Sequence, residues 1–389
     1  MKIVSMSAFP LNIPFVQQFA HATKTRTSSD AVILRVELEN GTVGWGETLV
    51  REYVTGESVA ILLGGLKKVA PKLTQIDFAI DWSGDTPLAK LQPLTTALTI
   101  VDQIPRETNR SWNGLRCVIE LALIDALCRS NSKTMQDLLP AKRKEVLYSG
   151  VITGGDAEKS IRAARQMKQL GIKDFKLKVA VPADLELVKS VRALIGMDAT
   201  LRLDANSAFS LPDAINFCKA VEDQIISAIE EPLSSPTPET LAQLQKATTI
   251  PVMPDESLVT ETDARTLIEQ QSARMFNVRL AKCGGVAPSL KMIEMAQSAG
   301  ISFQIGALVG ETGILSAVGR ALAAHVPDCK FIEGSYGRLL LQEDIVLESI
   351  RFGHGGRAPI LKGPGLGVEV NPAIVDKFSD PSLAYVFTA

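Results

Sequence analysis

The chain has 389 residues, of which 46% are hydrophobic and 22% charged, with a net charge of −2 at pH 7. That length supports one large domain or two ordinary ones with substantial cores, and the composition excludes a disordered or fibrous protein. Near-neutral charge removes any general attraction to nucleic acid or an anionic membrane surface, and no apolar run approaches the roughly 20 residues that span a bilayer.

The amino terminus, "MKIVSMSAFPLNIP", alternates apolar residues and contains two prolines. It lacks the continuous apolar block of a secretory signal and reads as a strand. In "AVILRVELENGTVGWGE", apolar runs flank Asn40-Gly41, a strong hairpin signal. "SWNGLRCVIELALIDALCRS" (111–130) carries apolar residues at helical spacing all round, as a buried helix does, and "NSKTMQDLLP" adds a short second helix. The five cysteines are scattered without CxxC spacing, which predicts reduced thiols, a cytoplasmic setting and no zinc site.

From Val146 short apolar runs alternate with amphipathic helical stretches: "VLYSGV", "DFKLKVA", "ATLRLDAN", "ISAIEEPL", "PVMPDES", "RMFNVRLAK", "SFQIGAL" and "KFIEGSYG". Eight strand-helix units predict a parallel sheet closed into a barrel. A doubly wound open sheet is the competitor, but "VITGGDAEKS" lacks the glycine fingerprint of its dinucleotide-binding version. From about Arg351 a glycine- and proline-rich tail is expected to return to the amino-terminal part.

Asp204 ends "LRLD", Glu230 ends "SAIE" and Asp255 ends "VMPD", about one strand-helix unit apart. This spacing puts all three at the carboxyl-terminal rim of the barrel, where barrel active sites are built. Converging carboxylates repel one another unless a cation lies between them, and hard oxygen donors with room for water and substrate suit Mg²⁺. The alternative for each acid is a helix cap or a rim salt bridge. Glu231 and Glu256 follow two of the acids directly, and strand alternation turns them to the opposite face, in supporting or capping roles.

One strand earlier, Lys176 and Lys178 in "FKLKV" face the same way. Two neighbouring ammonium groups depress each other's proton affinity, which would make a usable base. On the sixth strand, alternation turns Asn277 and Arg279 inward and leaves Val278 and Leu280 against the outer helices. Arginine stays protonated and excels at gripping carboxylates, but it is a poor proton shuttle. Lys282 approaches the rim only from the following loop.

Taken together, "KLK", "DAN", "EEP" and "DES" on successive strands resemble the enolase superfamily, and within it the muconate lactonizing (muconate cycloisomerase) subgroup of the mandelate racemase/muconate lactonizing enzyme family. The likeness extends to "GWGE", "REYVTGES" and the tail. It implies an α/β fold: a (β/α)7β-type TIM barrel (131–350) behind an amino-terminal α+β capping domain (1–130), completed by the carboxyl-terminal segment (351–389). It implies Mg²⁺ on Asp204, Glu230 and Asp255, Lys178 as the base beside a substrate carboxylate, and Lys176 lowering its pKa. Asn206 becomes a supporting contact, and His21, Arg51 and Tyr53 become lid contacts to the substrate. Glu311 and Glu333 are rim contacts, and the partner is a small-molecule carboxylate, with assembly as a homodimer or octamer.

Many subgroup members carry a second catalytic lysine where this chain has Arg279. One-base chemistry, cycloisomerisation or syn elimination of water, is therefore expected ahead of racemisation or epimerisation recruiting Lys282. A non-catalytic metabolite-binding barrel is the third reading. Dipeptide epimerases of the subgroup carry Asp-x-Asp on the last strand, where this chain has only Glu333. The histidine of the mandelate racemase pattern is missing from "FQIGALVGETG".

Overall fold

A computed structural model describes residues 1–20, 25–105 and 111–389. The amino-terminal part contains β1 (Ile3–Pro10), β2 (Ile13–Ala20), β3 (Thr25–Ser29), β4 (Ala31–Leu38) and β5 (Val43–Leu49). β4 and β5 form the hairpin foreseen at Asn40-Gly41, where Gly41 takes φ +81°. β1 pairs with β4 on one side and with the carboxyl-terminal strand Tyr385–Thr388 on the other, so the tail does return to this sheet.

Helix Asn113–Ser130 lies against β5 and is apolar on every side because it is covered on every side; Leu115, Val118, Ile119, Ala122, Leu123 and Ala126 are all fully buried. The glycines of "GWG" are explained by this contact. A Cβ at Gly46 would lie 2.2 Å from the Val118 carbonyl oxygen, and one at Gly44 would lie 2.3 Å from the Ala122 carbonyl oxygen. Trp45 between them points to the other face, where its ring meets Phe9.

The barrel follows. Only the end of "VLYSGV" (Gly150 and Val151) joins it, while β6 (Glu145–Leu147) pairs antiparallel with Arg357–Pro359. The barrel strands are β7 (Gly150–Ile152), β8 (Asp174–Lys178), β9 (Thr200–Asp204), β10 (Ala228–Glu230), β11 (Val252–Met253), β12 (Met275–Val278) and β13 (Ser302–Ile305). β7 to β11 form one parallel ladder and β12 with β13 another. The Arg274 amide donates to the Val252 carbonyl at 3.2 Å, joining the two.

The eighth position, predicted from "KFIEGSYG", is reduced to single bridges. Ile332 pairs with Ile305 on one side and Tyr148 on the other, and closes the ring. Gly334 (φ +99°) and Ser335 (φ 57°) then turn the chain away before a longer strand can form. Inside, Ala228, Met253, Met275 and Phe331 form an apolar floor separate from the main core. The Arg202 guanidinium stacks 4.3 Å above the Phe331 ring, marking where the lumen becomes polar.

Three buried carboxylates tie the elements together at helix amino termini, whose free N–H groups need acceptors. Glu57 accepts from the Gly114 (2.7 Å) and Leu115 (2.9 Å) amides, and Glu47 from those of Thr312 (2.6 Å) and Leu315 (2.8 Å). Glu120 accepts from the amides of Val286 and Ala287. Burial pushes each of these carboxyls up from 4.5 to about 7. All five cysteines are buried and unpaired, and among the described residues no helix is long and apolar enough to cross a membrane.

Two outcomes are expected. Gly46→Ala should lower the unfolding free energy by about 3 kcal/mol in urea titrations, because the clash is with backbone and not with a side chain that can swing away. A carboxyl whose pKa is raised on folding stabilises fully below its unfolded value and loses that contribution as pH rises through its folded value. Stability should therefore fall between about pH 5 and 8 through these groups, and Glu120→Gln should make that slope shallower in urea midpoints measured across the range.

Candidate active site

Parallel register gathers the charged residues at the carboxyl-terminal end of the barrel, with Asp255 two residues beyond Met253, the partner of Glu230. Lys178 and Glu230 stand beside Asp204 on either side, and Lys176 stands beside Arg202. The resulting cavity, about 190 Å³, is lined by the polar side chains of Lys176, Lys178, Asp204, Asn206, Arg279 and Glu333. Val151, Leu308, Val309, Leu339 and Leu340 are among its apolar lining.

Asp204, Glu230 and Asp255 are 2%, 0% and 0% exposed, so their charges meet little water. Basic side chains bridge them. Lys176 Nζ lies 3.2 Å from Asp204, 3.2 Å from Glu230 and 2.9 Å from Glu333. Arg279 Nη2 lies 3.0 Å from Glu230 Oε1 and 2.5 Å from Asp255 Oδ2.

Burial, with repulsion from Asp204, raises Glu230 to about 7. Burial also opposes ionisation of Glu333, but Lys176 and Arg202 outweigh it and bring that carboxyl to about 2. Asp204 moves down as well, because Lys176 and Lys178 overcome its burial.

The lysine pair behaves unequally, which corrects the expectation of mutual depression. Burial disfavours the charged form of Lys176, yet Glu230, Glu333 and Asp204 together raise its pKa. Lys178 moves down, first through burial and then through Lys176, against the pull of Asp204. Its Nζ donates to Asn206 Oδ1 at 2.9 Å. Asn206 is held for this role in a left-handed turn (φ 43°), with its amide on Asp204 Oδ1 at 3.2 Å.

Of the other residues singled out from the sequence, Arg279 faces inward as alternation required. Lys282 does not approach the cavity. A single helical turn (Leu280–Cys283) rolls it beneath Asp255, where Nζ donates to Asp255 Oδ1 (2.9 Å) and to the Asp255 and Asn277 carbonyls (both 2.7 Å). Glu231 supports Asp255 as expected, accepting from the Asp255 amide at 2.7 Å and from Ser257 Oγ at 2.5 Å. Glu256 is a correction: strand alternation has ended by then, and it lines the cavity.

Glu311 also departs from expectation. It accepts from the Leu308 amide (2.7 Å) behind the cavity wall, and burial raises it to about 8. Arg51 lines the cavity, but its guanidinium is engaged with Asp30 (2.7 Å) and with the Val50 and Val309 carbonyls (both 2.9 Å). Tyr53 sits half-exposed at the rim. His21 lies outside the described residues.

Sequence reasoning missed Arg202, whose Nη1 pairs with Glu333 at 2.7 Å and whose Nη2 donates to Ser149 Oγ at 2.8 Å. Its position two residues before Asp204, on the same strand face, was the available signal.

Among the described residues no three acidic, histidine or cysteine side chains already close on one point. The donors nevertheless suit a hard divalent cation. All three acids present oxygen, and two oxygens in this region, Asp255 Oδ2 and Glu256 Oε2, are buried without a hydrogen-bond partner among the described residues. The donor chemistry is in place, and Arg279 lies across two of the three acids.

Removing the Lys282 ammonium should leave Asp255 Oδ1 and the buried Asp255 and Asn277 carbonyls without this donor. Lys282→Met is expected to cost about 3–5 kcal/mol of stability in chemical denaturation, whereas Lys178→Ala at the cavity wall should cost much less.

Residues 159–374, more than half of the chain, match the family model described as Enolase C-terminal domain-like. The chain is 25% identical to the N-succinyl-L-Arg/Lys racemase of Bacillus cereus, over 95% of this chain and 96% of that protein. It is 27% identical to muconate cycloisomerase 1 of Rhodococcus opacus over the same shares. A crystal structure of the dipeptide epimerase from Enterococcus faecalis, complexed with Mg and L-Leu-L-Tyr, superposes with a TM-score of 0.82 at 25% identity, covering 95% of this chain and all of that one. The eight-position barrel, the acids on its consecutive strand ends and the family match over most of that barrel have one reading: this chain belongs to the enolase superfamily of enzymes.

Proposed function

We propose that this protein removes a proton from the carbon beside a substrate carboxylate, with Lys178 as the base, in a cycloisomerisation or syn elimination of water. The observation that carries the reading is the asymmetry of the three lysines. Lys178 lines the cavity with its pKa moved down, Lys176 is held protonated among acids, and Lys282 is locked under Asp255.

Asp204, Glu230 and Asp255 are the residues that would hold a divalent cation, Mg²⁺ by the chemistry of the donors. Such an ion, when bound, would supply positive charge beside the substrate carboxylate and so favour the enediolate. Lys176 keeps the acids together, and Asn206 orients Lys178. Arg279 offers a permanent positive charge to an anion but no proton to exchange, since its carboxylate neighbours outweigh burial and push its pKa further upward. The apolar wall formed by Leu308, Val309, Leu339 and Leu340 suits an acid whose far end is uncharged.

A second reading, racemisation or epimerisation, is favoured by the names of the Bacillus cereus racemase and the Enterococcus faecalis epimerase. It needs a proton donor on the face opposite Lys178, where the resemblance puts a second lysine and this chain has Arg279, a poor donor.

The deciding experiment screens acid sugars, N-acyl amino acids, dipeptides and lactones in deuterated water with Mg²⁺. One stereoisomer should exchange its α-proton, and Lys178→Ala should lose about 10³-fold or more of that exchange while still binding metal. Exchange of both stereoisomers, with one lost in Arg279→Met, would establish the two-base reaction instead. Turnover unchanged in Lys178→Ala would sink the assignment of the base.

A further inference from the structure

We propose that the Arg279 guanidinium is a tethered counter-ion that shares Glu230 and Asp255 with the divalent cation, so that metal binding displaces Arg279 toward Glu256. The inference rests on the reading of Asp204, Glu230 and Asp255 as metal ligands, and adds what this chain's arginine does to that site.

The carboxylate oxygens are already allotted. Asp255 Oδ1 is taken by Lys282 at 2.9 Å, and Glu230 Oε2 by Lys176 at 3.2 Å. What is left to face a metal is Asp255 Oδ2, and Glu230 Oε1 beside the hydrogen bond it accepts from Asn277 Nδ2 (2.9 Å); Arg279 Nη2 lies against both, at 2.5 and 3.0 Å. Asp255 Oδ2 has no hydrogen-bond partner of proper geometry among the described residues, so the guanidinium touches it only as an ion. A magnesium ion at its usual distance of about 2.1 Å from these oxygens would put a double positive charge next to the guanidinium. A lysine could relieve that repulsion by giving up its proton, but an arginine cannot. The guanidinium must therefore move.

Glu256 is the receiver. Its carboxyl lines the same cavity as Arg279, and its Oε2 is buried without a hydrogen-bond partner among the described residues. It is also among the acids whose charge Arg279 feels, after Asp255 and Glu230. A turn of the long arginine side chain thus exchanges one acidic contact for another, filling an acceptor that is otherwise unmet.

The test is calorimetric titration of the folded chain with MgCl₂ at constant ionic strength, with thermal unfolding recorded with and without the salt. Arg279→Met should bind Mg²⁺ at least ten-fold more tightly than wild type, and Glu256→Gln at least several-fold more weakly. Without metal, Arg279→Met should unfold at a lower temperature than wild type, and saturating Mg²⁺ should raise its midpoint by the larger amount. Should Arg279→Met not fold, the Glu256→Gln and Arg279→Lys titrations carry the test, the lysine variant being expected to bind more tightly than wild type.

Equal Mg²⁺ affinity in wild type and these variants, with binding lost in Glu230→Gln, would overturn the displacement and leave the metal site standing. Absence of Mg²⁺ binding in every protein would overturn the metal site, and this inference with it.

Discussion

Five carboxylates and five basic side chains crowd the carboxyl-terminal end of this barrel, most of them out of reach of water, and their mutual neutralisation is the constraint on which the site depends. A buried carboxylate left alone takes up a proton or destabilises the fold. Here Asp204, Glu230, Asp255 and Glu333 are held against Lys176, Arg202, Arg279 and Lys282, most at 2.5–3.2 Å. The consequences differ by position. Glu333, with two cations, stays ionised, while Glu230, surrounded also by acids, rises to about 7. Lys176 is committed to holding the acids, which leaves Lys178 as the lysine whose chemistry is adjustable.

The remainder of the chain keeps that cluster rigid and enclosed. The apolar floor of Ala228, Met253, Met275 and Phe331 stops the charged layer from below, with Arg202 stacked on Phe331 at the boundary. Glu47 and Glu120 carry the amino-terminal sheet and its long helix onto barrel helices through buried amides. Arg51 fastens the end of that sheet to the loop after β13. The same device recurs at several levels: a buried polar or charged group is satisfied by groups from a distant part of the chain, so parting the elements breaks its hydrogen bonds.

The three metal-ligand candidates were legible in the sequence because strand ends in a barrel recur at a regular spacing, although β11 stops at Met253 and leaves Asp255 two residues beyond the level of Glu230. Lys176, Lys178 and Arg279 followed from period-two alternation. That rule fails where a strand stops, which is why Glu256 turned out to line the cavity and Lys282 to lie beneath it. Glu311 and Arg51 were identified by position at the rim, but their polar groups are consumed locally, by the Leu308 amide and by Asp30 and two carbonyls. The eighth strand shrank because Gly334 and Ser335 take positive φ, which the run "FIEGSYG" does not announce beyond its two glycines.

What the sequence determined by itself is therefore local and periodic: the strand-helix alternation, the hairpin at Asn40-Gly41, the buried helix read at 111–130, and which acids and lysines gather at the same end of the barrel. Those features depend on backbone geometry, which is the same wherever the segment is put. Only the tertiary structure decided how the charges divide among themselves, since pairing depends on distances of a few ångströms between residues 24 (Asp255 and Arg279) to 157 (Lys176 and Glu333) positions apart. The unequal lysines, the locked Lys282 and the guanidinium lying across Glu230 and Asp255 all belong to that second kind.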